Sequence, residues 1–239
     1  MFKDLKHSIV LRKIPYKNAD AFFLVFTKES GKIMLTAKGI KKVNSKLAPF
    51  LQVGSILKIN ITNSKKSKIP IITGVQSLFL PQIASYEDLI IFEKALSITN
   101  LACKEDQIIP QVFSILQNFI TNFINFSNKK ILLLAYKLKL FFALGFLGNF
   151  NECMFCNKKL SIKENNYISH QGVLCSLCKN NDIVTLKIST NELKVLYFLQ
   201  KHDFLDIKKL VVSDEFIKSI FKKVEVIIKI SYIIFLTIN

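Results

Sequence analysis

Four of the five cysteines fall into two Cys-x-x-Cys pairs, Cys153-Met-Phe-Cys156 and Cys175-Ser-Leu-Cys178, separated by residues 157–174. Each short turn aims two thiolates at one point, and two such turns complete a tetrahedral S4 shell. A closed shell of four thiolates keeps no open position for water. The expected occupant is therefore one structural Zn2+ ion rather than a catalytic one. The lobe at about 149–182 carries too little apolar material to fold alone, so the metal would supply its folding energy. His170 lies between the pairs and reads as an exposed loop histidine, since four cysteines already suffice. The other reading of the pairs is a redox dithiol, which needs a strand-to-helix junction in a parallel sheet. Both pairs sit instead in a polar, loop-rich stretch. Cys103 stands apart in an apolar helical pattern and reads as a small buried hydrophobe.

The second group of residues is basic. The chain carries 34 Lys+Arg against 17 Asp+Glu, a net charge of +17, which attracts polyanions. Arg12 is the only arginine. With many Ile and Asn, that marks AT-rich coding, which raises lysine content regardless of function, so charge alone does not decide for nucleic acid. Position is more telling. Arg12, Lys13 and Lys17 edge a first strand and turn, Lys38, Lys41, Lys42 and Lys46 follow a third strand, and Lys65 and Lys66, with Lys68, fill a later turn. Lysines there would hold phosphates without sequence preference. Tyr16, Phe22 and Phe50 lie among them as possible stacking faces, although Phe22 also fits a core position. No catalytic constellation accompanies them: there is no Gly-rich phosphate loop, and His7, His170 and His202 have no nucleophile partners. The chain reads as a binding protein and not an enzyme.

These residues need positioning elements. Residues 8–14, 21–27, 32–38, 56–62 and 69–78 are apolar or β-branched runs separated by turn chemistry. Five short strands suit a small closed barrel of the OB type, and an SH3-like barrel would look similar. Helical periodicity follows. Ser85 and Asp88 open one helix with Leu89, Phe92, Leu96 and Thr99 on one side. Pro110 opens another with Val112, Phe113, Leu116, Phe119, Ile120, Phe123 and Ile124. A third runs from about Asn128 to Leu147 and ends at Gly148. Ser189 and Glu192 form a capping box before Leu193, Leu196, Tyr197 and Phe198, and a last apolar helix runs from about Asp214 to Phe235. The architecture is thus α+β and multi-domain: an OB-fold β-barrel over 1–80, then an α-helical domain over 81–239 with an inserted four-cysteine zinc-binding lobe. Lys137 and Lys139 interrupt the apolar run 131–147, and Glu225 and Lys229 interrupt 224–238, so neither reads as a membrane span. The N-terminus lacks a signal-peptide pattern. A soluble, cytoplasmic protein is expected.

The segments Ile14-Pro-Tyr-Lys-Asn-Ala-Asp20, Phe26-Thr-Lys-Glu-Ser-Gly-Lys32, Thr36-Ala-Lys-Gly-Ile-Lys-Lys42 and Pro49-Phe-Leu-Gln52, with Ser45 and Leu47, resemble the N-terminal OB domain of RecO proteins. Gly145-Phe-Leu-Gly148 leading into Cys153-Met-Phe-Cys156, and Gly172-Val-Leu-Cys-Ser-Leu-Cys178, resemble that family's helical-to-zinc transition. The last helix, with Ser231 and Phe235, is similar in placement. The resemblance implies a mediator of homologous recombination in the bacterial cytoplasm and nucleoid. Such a protein binds single- and double-stranded DNA, anneals complementary strands, engages the C-terminal tail of single-strand-binding protein, joins RecR and helps load RecA. Two departures stand out. Lys41 and Lys42 occupy positions where the family often has Arg, keeping the charge but not the bidentate fork, and the C-terminal segment is unusually apolar. A zinc-stabilised interaction scaffold and a dithiol redox enzyme are the competing readings.

Overall fold

The computed structural model describes residues 2–63, 68–160, 165–179 and 183–238. Strands β1 (Phe2–Tyr16), β2 (Asp20–Thr27), β3 (Gly31–Ala37), β4 (Ile56–Thr62) and β5 (Ile71–Phe79) close into a barrel in the order β1-β2-β3-β5-β4. All neighbours run antiparallel except β3 and β5, which meet in parallel at Thr36 and Ile71. That closure makes the barrel OB-type. β1 is longer than its apolar run because it serves two neighbours. Its residues 8–16 pair with β2 and residues 2–9 with β4, with register shifts at Leu5/Ser8 and Val10/Arg12 that bend it between them.

Both faces of β2 are apolar, for different reasons. Phe23 and Val25 point into the barrel with Val10, Leu35, Ile59 and Ile72. Leu24 and Phe26 point outward yet are also buried, because helices α1 (Tyr86–Ala102) and α2 (Pro110–Phe123) cover that wall. The Phe26 and Phe113 rings lie 6.0 Å apart. Ser85 caps α1 by accepting from Asp88 N at 3.1 Å, and Pro110 starts α2, where a missing N–H costs nothing. Lys32 reaches the far end of α1, donating to the Asn100 carbonyl at 2.7 Å. Two expected core residues are corrected: Leu89 and Ile124 are 38% and 44% exposed, because the buried stripes centre on Ala95 and on Phe119. Cys103 is buried as expected but sits at the C-cap of α1, with extended backbone, rather than inside a helix. Burial raises its thiol pKa to about 11.

The chain divides into two compact units, Met1–Asn125 and Phe126–Asn239. The second holds α3 (Lys129–Ala143), the strands β6 (Asn166–Ser169), β7 (Gly172–Cys175) and β8 (Leu186–Ile188), then α4 (Thr190–Lys201), α5 (Phe204–Ile207) and α6 (Asp214–Ile238). α3 ends one turn earlier than its apolar run predicts. Gly145, at φ +78, turns the chain so that its N–H and that of Phe146 reach Phe142 O and Phe141 O. This is a Schellman stop, which glycine favours because it has no Cβ. Gly148 serves a different purpose. A Cβ there would collide with the Gln171 carbonyl oxygen, so its absence lets the β6–β7 hairpin close on the chain. The two lysines inside the apolar run of α3 are both satisfied. Lys137 pairs with Glu225 of α6 at 3.1 Å, and Lys139 donates to the Gln200 and His202 carbonyls at the end of α4. Among the described residues, no helix is long and apolar enough to cross a membrane.

Candidate metal centre and nucleic-acid interface

The two Cys-x-x-Cys turns converge. All four Sγ atoms, of Cys153, Cys156, Cys175 and Cys178, lie within 4.8 Å of one another. The first turn is folded by Asn157 N donating to Cys153 O and Cys153 N to Lys158 O, both at 2.9 Å, with Asn157 at φ +56. The second follows directly from β7, with Cys178 N donating to Cys175 O at 3.2 Å. Met154 N donates to Val173 O at 2.9 Å, which fastens the first turn to β7 and brings the pairs together.

These dimensions fit a metal. Tetrahedral coordination at about 2.3 Å from each sulfur sets sulfurs roughly 3.8 Å apart, and Cys156 Sγ and Cys175 Sγ are 3.9 Å apart. All four cysteines are free thiols. Burial works against the Cys153 thiolate, but backbone N–H groups of Cys156, Cys175 and Phe155 outweigh it and bring the pKa to about 6. Hydrogen bonds to Cys156 and Cys175 hold the Cys178 thiol up at about 12. Crowded sulfurs thus resist full ionisation by themselves, and a divalent cation reverses that balance. His170 is not among the clustered groups. It sits in the β6–β7 turn, half-buried rather than exposed, and burial lowers its pKa.

The lobe also contains structure that no local pattern announces. β6 forms a three-stranded antiparallel sheet with β7 and β8, and Cys175 is the last residue of β7. At the knuckle tips Phe155 and Leu177 are exposed.

The basic residues of the barrel sort into groups. Lys17, Lys38, Lys41 and Lys42 come together at one end. Asp20 Oδ1 accepts from Gly39 N at 2.8 Å, and Lys41 N donates to Ala19 O at 3.0 Å, so the β3–β4 loop is fastened to the β1–β2 turn. Lys41 also donates from Nζ to Lys17 O at 2.8 Å. That bond spends one of its three donors and leaves two. Lys17 has φ +49, and its ammonium lies 5.1 Å from the centre of the Tyr16 ring. Tyr16 in turn lies over Phe22, with centroids 4.2 Å apart. Lys46 is exposed further along the same loop, and Phe50 is 37% exposed. Lys65 and Lys66 lie outside the described residues.

Arg12 and Lys13 stand apart from that group. They line an open groove of ≈ 360 Å3 between β1 and α1, opposite Glu93, Ser97 and Asn100. Sequence reading passed over both Asp20, as a positioning residue, and the α1 side of this groove. Neither has a local signal, since each acts on residues distant in the chain.

The family model for the N terminus of recombination protein O matches residues 2–79, and the model for its C terminus matches residues 86–232. The chain is similar to the DNA repair protein RecO of Dehalococcoides mccartyi strain BAV1, at 27% identity over 216 residues, 89% of this chain and 84% of the relative. It is likewise similar to the DNA repair protein RecO of Clostridium novyi, at 27% over 235 residues (94% and 88%), and of Clostridium perfringens, at 26% over 235 residues (94% and 91%).

Proposed function

The chain belongs to the RecO family, and from that premise we propose that it acts in DNA repair as a recombination mediator without catalytic chemistry of its own. It binds single- and double-stranded DNA, anneals complementary strands and helps load recombinase on DNA coated by single-strand-binding protein. Its partners are the C-terminal tail of that protein and RecR, with a functional link to RecA, in the bacterial cytoplasm. The observation that carries this reading is the gathering of the loop that carries Lys38, Lys41 and Lys42 onto the β1–β2 turn at Lys17, beside the tilted Tyr16–Phe22 ring pair, on an OB barrel. Ammonium groups there neutralise phosphates, and the exposed Tyr16 offers a face to an unpaired base. A positive surface holding two strands lowers their repulsion and raises their local concentration, so annealing needs no covalent step.

The ion that suits four clustered thiolates is Zn2+, held by Cys153, Cys156, Cys175 and Cys178. Zinc has no redox chemistry and would brace the lobe. Arg12, Lys13, Lys46, Lys65 and Lys66 extend the proposed contact to DNA.

The test is annealing of complementary oligonucleotides coated with single-strand-binding protein. Acceleration that fades as salt rises is expected. Reversing charge at Lys38, Lys41 and Lys42 together should weaken binding to all sequences alike and flatten the log–log salt slope for single strands by about 2. No acceleration by a folded, metal-loaded protein would favour an interaction scaffold instead.

A further inference from the structure

Arg12 is the one arginine among 34 Lys+Arg residues. Lysine replaces arginine wherever a point charge suffices, but not where a planar fork must grip two oxygens. The guanidinium makes no hydrogen bond or ion pair with any of the described residues. Arg12 lines the groove between β1 and α1, together with Lys13, Glu93, Ser97 and Asn100. Leu11 and Leu96 contribute to the lining and are buried, 5% and 1% exposed. At ≈ 360 Å3 the groove falls in the small-ligand range of about 300–1,000 Å3.

Its lining has three parts of different chemistry. Arg12 supplies a cation, the half-buried Val53 an apolar surface, and Glu93 a polar acceptor, while Lys13 holds its ammonium over the Phe23 ring and Asn100 Oδ1 already accepts from Lys32 Nζ at 3.2 Å. An acidic peptide would meet the Glu93 carboxylate as a like charge. A nucleotide presents a phosphate, a flat apolar base and, in cytosine or adenine, an exocyclic amine. A carboxylate accepts from that amine and repels the carbonyl that uracil and thymine carry in its place.

We propose that this groove seats one unpaired nucleotide of a bound strand and selects an amino-bearing base, with Arg12 holding the phosphate and Glu93 reading the amine. The inference rests on the DNA-binding reading above and adds a base preference to binding that the lysines alone leave indifferent to sequence.

The experiment compares oligo-dC with oligo-dU of equal length, which share the backbone and differ only along one base edge, an amine beside an acceptor N3 in cytosine and a carbonyl beside an N3–H in uracil. Binding to the full chain is followed by fluorescence anisotropy at slightly alkaline pH, where oligo-dC stays single-stranded. Oligo-dC should bind more tightly by about fivefold or more. Glu93→Ala should abolish the preference by weakening oligo-dC and relieving the repulsion of oligo-dU, with the fold intact because Glu93 is exposed. Arg12→Lys should weaken both homopolymers by the same factor. Equal affinity of the unaltered protein for both would overturn the groove proposal and leave the mediator reading standing. Failure to bind either would overturn both. Displacement of oligo-dC by polyglutamate, itself bound through Arg12, would assign the groove to an acidic chain and overturn the nucleotide.

Discussion

Replacing Glu192 with glutamine tests whether a buried charge holds the second unit together. Glu192 is the N3 residue of a full capping box. Its carboxylate accepts from Ser189 N at 2.9 Å, from Ser219 Oγ at 2.8 Å and from Lys223 Nζ at 2.8 and 2.7 Å. One side chain thus caps α4 and fastens it to α6, and only 6% of it is exposed. Burial by itself would raise the pKa, but the Lys223 ammonium and the other donors outweigh it and lower the value from 4.5 to about 2. At about 1.4 kcal/mol per pH unit, that difference corresponds to about 3 kcal/mol of stability. Lys223 is 27% exposed, and solvent screening trims this to roughly 2–3 kcal/mol. A depressed carboxyl pKa stabilises above the unfolded value and loses that contribution as pH falls through the folded one. Urea unfolding followed by circular dichroism should therefore place Glu192→Gln about 2–3 kcal/mol below the unaltered protein near neutral pH. The gap should stay flat down to about pH 5 and then narrow steadily towards about pH 3. A gap that is absent at neutral pH, or that keeps its full size in acid, refutes the electrostatic account.

Two further substitutions probe other joints. Cys153→Ser should lower bound metal from near one ion per chain, measured by elemental analysis, and strip hydrogen-exchange protection from β6 and β7; unchanged metal content would place the ion elsewhere. Gly54→Ala should lower Tm by several degrees, at a cost of about 2–4 kcal/mol. Gly54 sits at φ +83, and a Cβ there would overlap Phe92 Cε1; an unchanged melting curve would mean that α1 is not packed on the barrel there.

Local chemistry carried most of the element reading. Four of the five strands begin and end within two residues of their apolar runs, and Ser85, Pro110 and Ser189 each start a helix as their side chains require. The exceptions follow from contacts distant in sequence. β1 extends back to Phe2 because β4 pairs with it, which no pattern within β1 reveals. α3 stops at Ala143 although its apolar run continues, because Gly145 can adopt positive φ and Gly148 is needed against Gln171. Leu89 belongs to a helical stripe, but packing selected the stripe beside it.

By itself the amino-acid sequence determined the four-thiolate set, the barrel followed by helices and the excess of positive charge, because residue type, spacing and periodicity are local quantities. Only tertiary structure decided how those parts meet. The hydrogen bond of Met154 to Val173 brings the two cysteine turns within reach of one ion, and Asp20 and Lys41 draw the lysine loop onto the β1–β2 turn. Strand register set Arg12, opposite Leu24, on the wall facing α1 rather than beside Lys41. The physical reason is the same throughout: a side chain's chemistry is its own, but its neighbours are chosen by pairing and packing that join residues far apart in the chain.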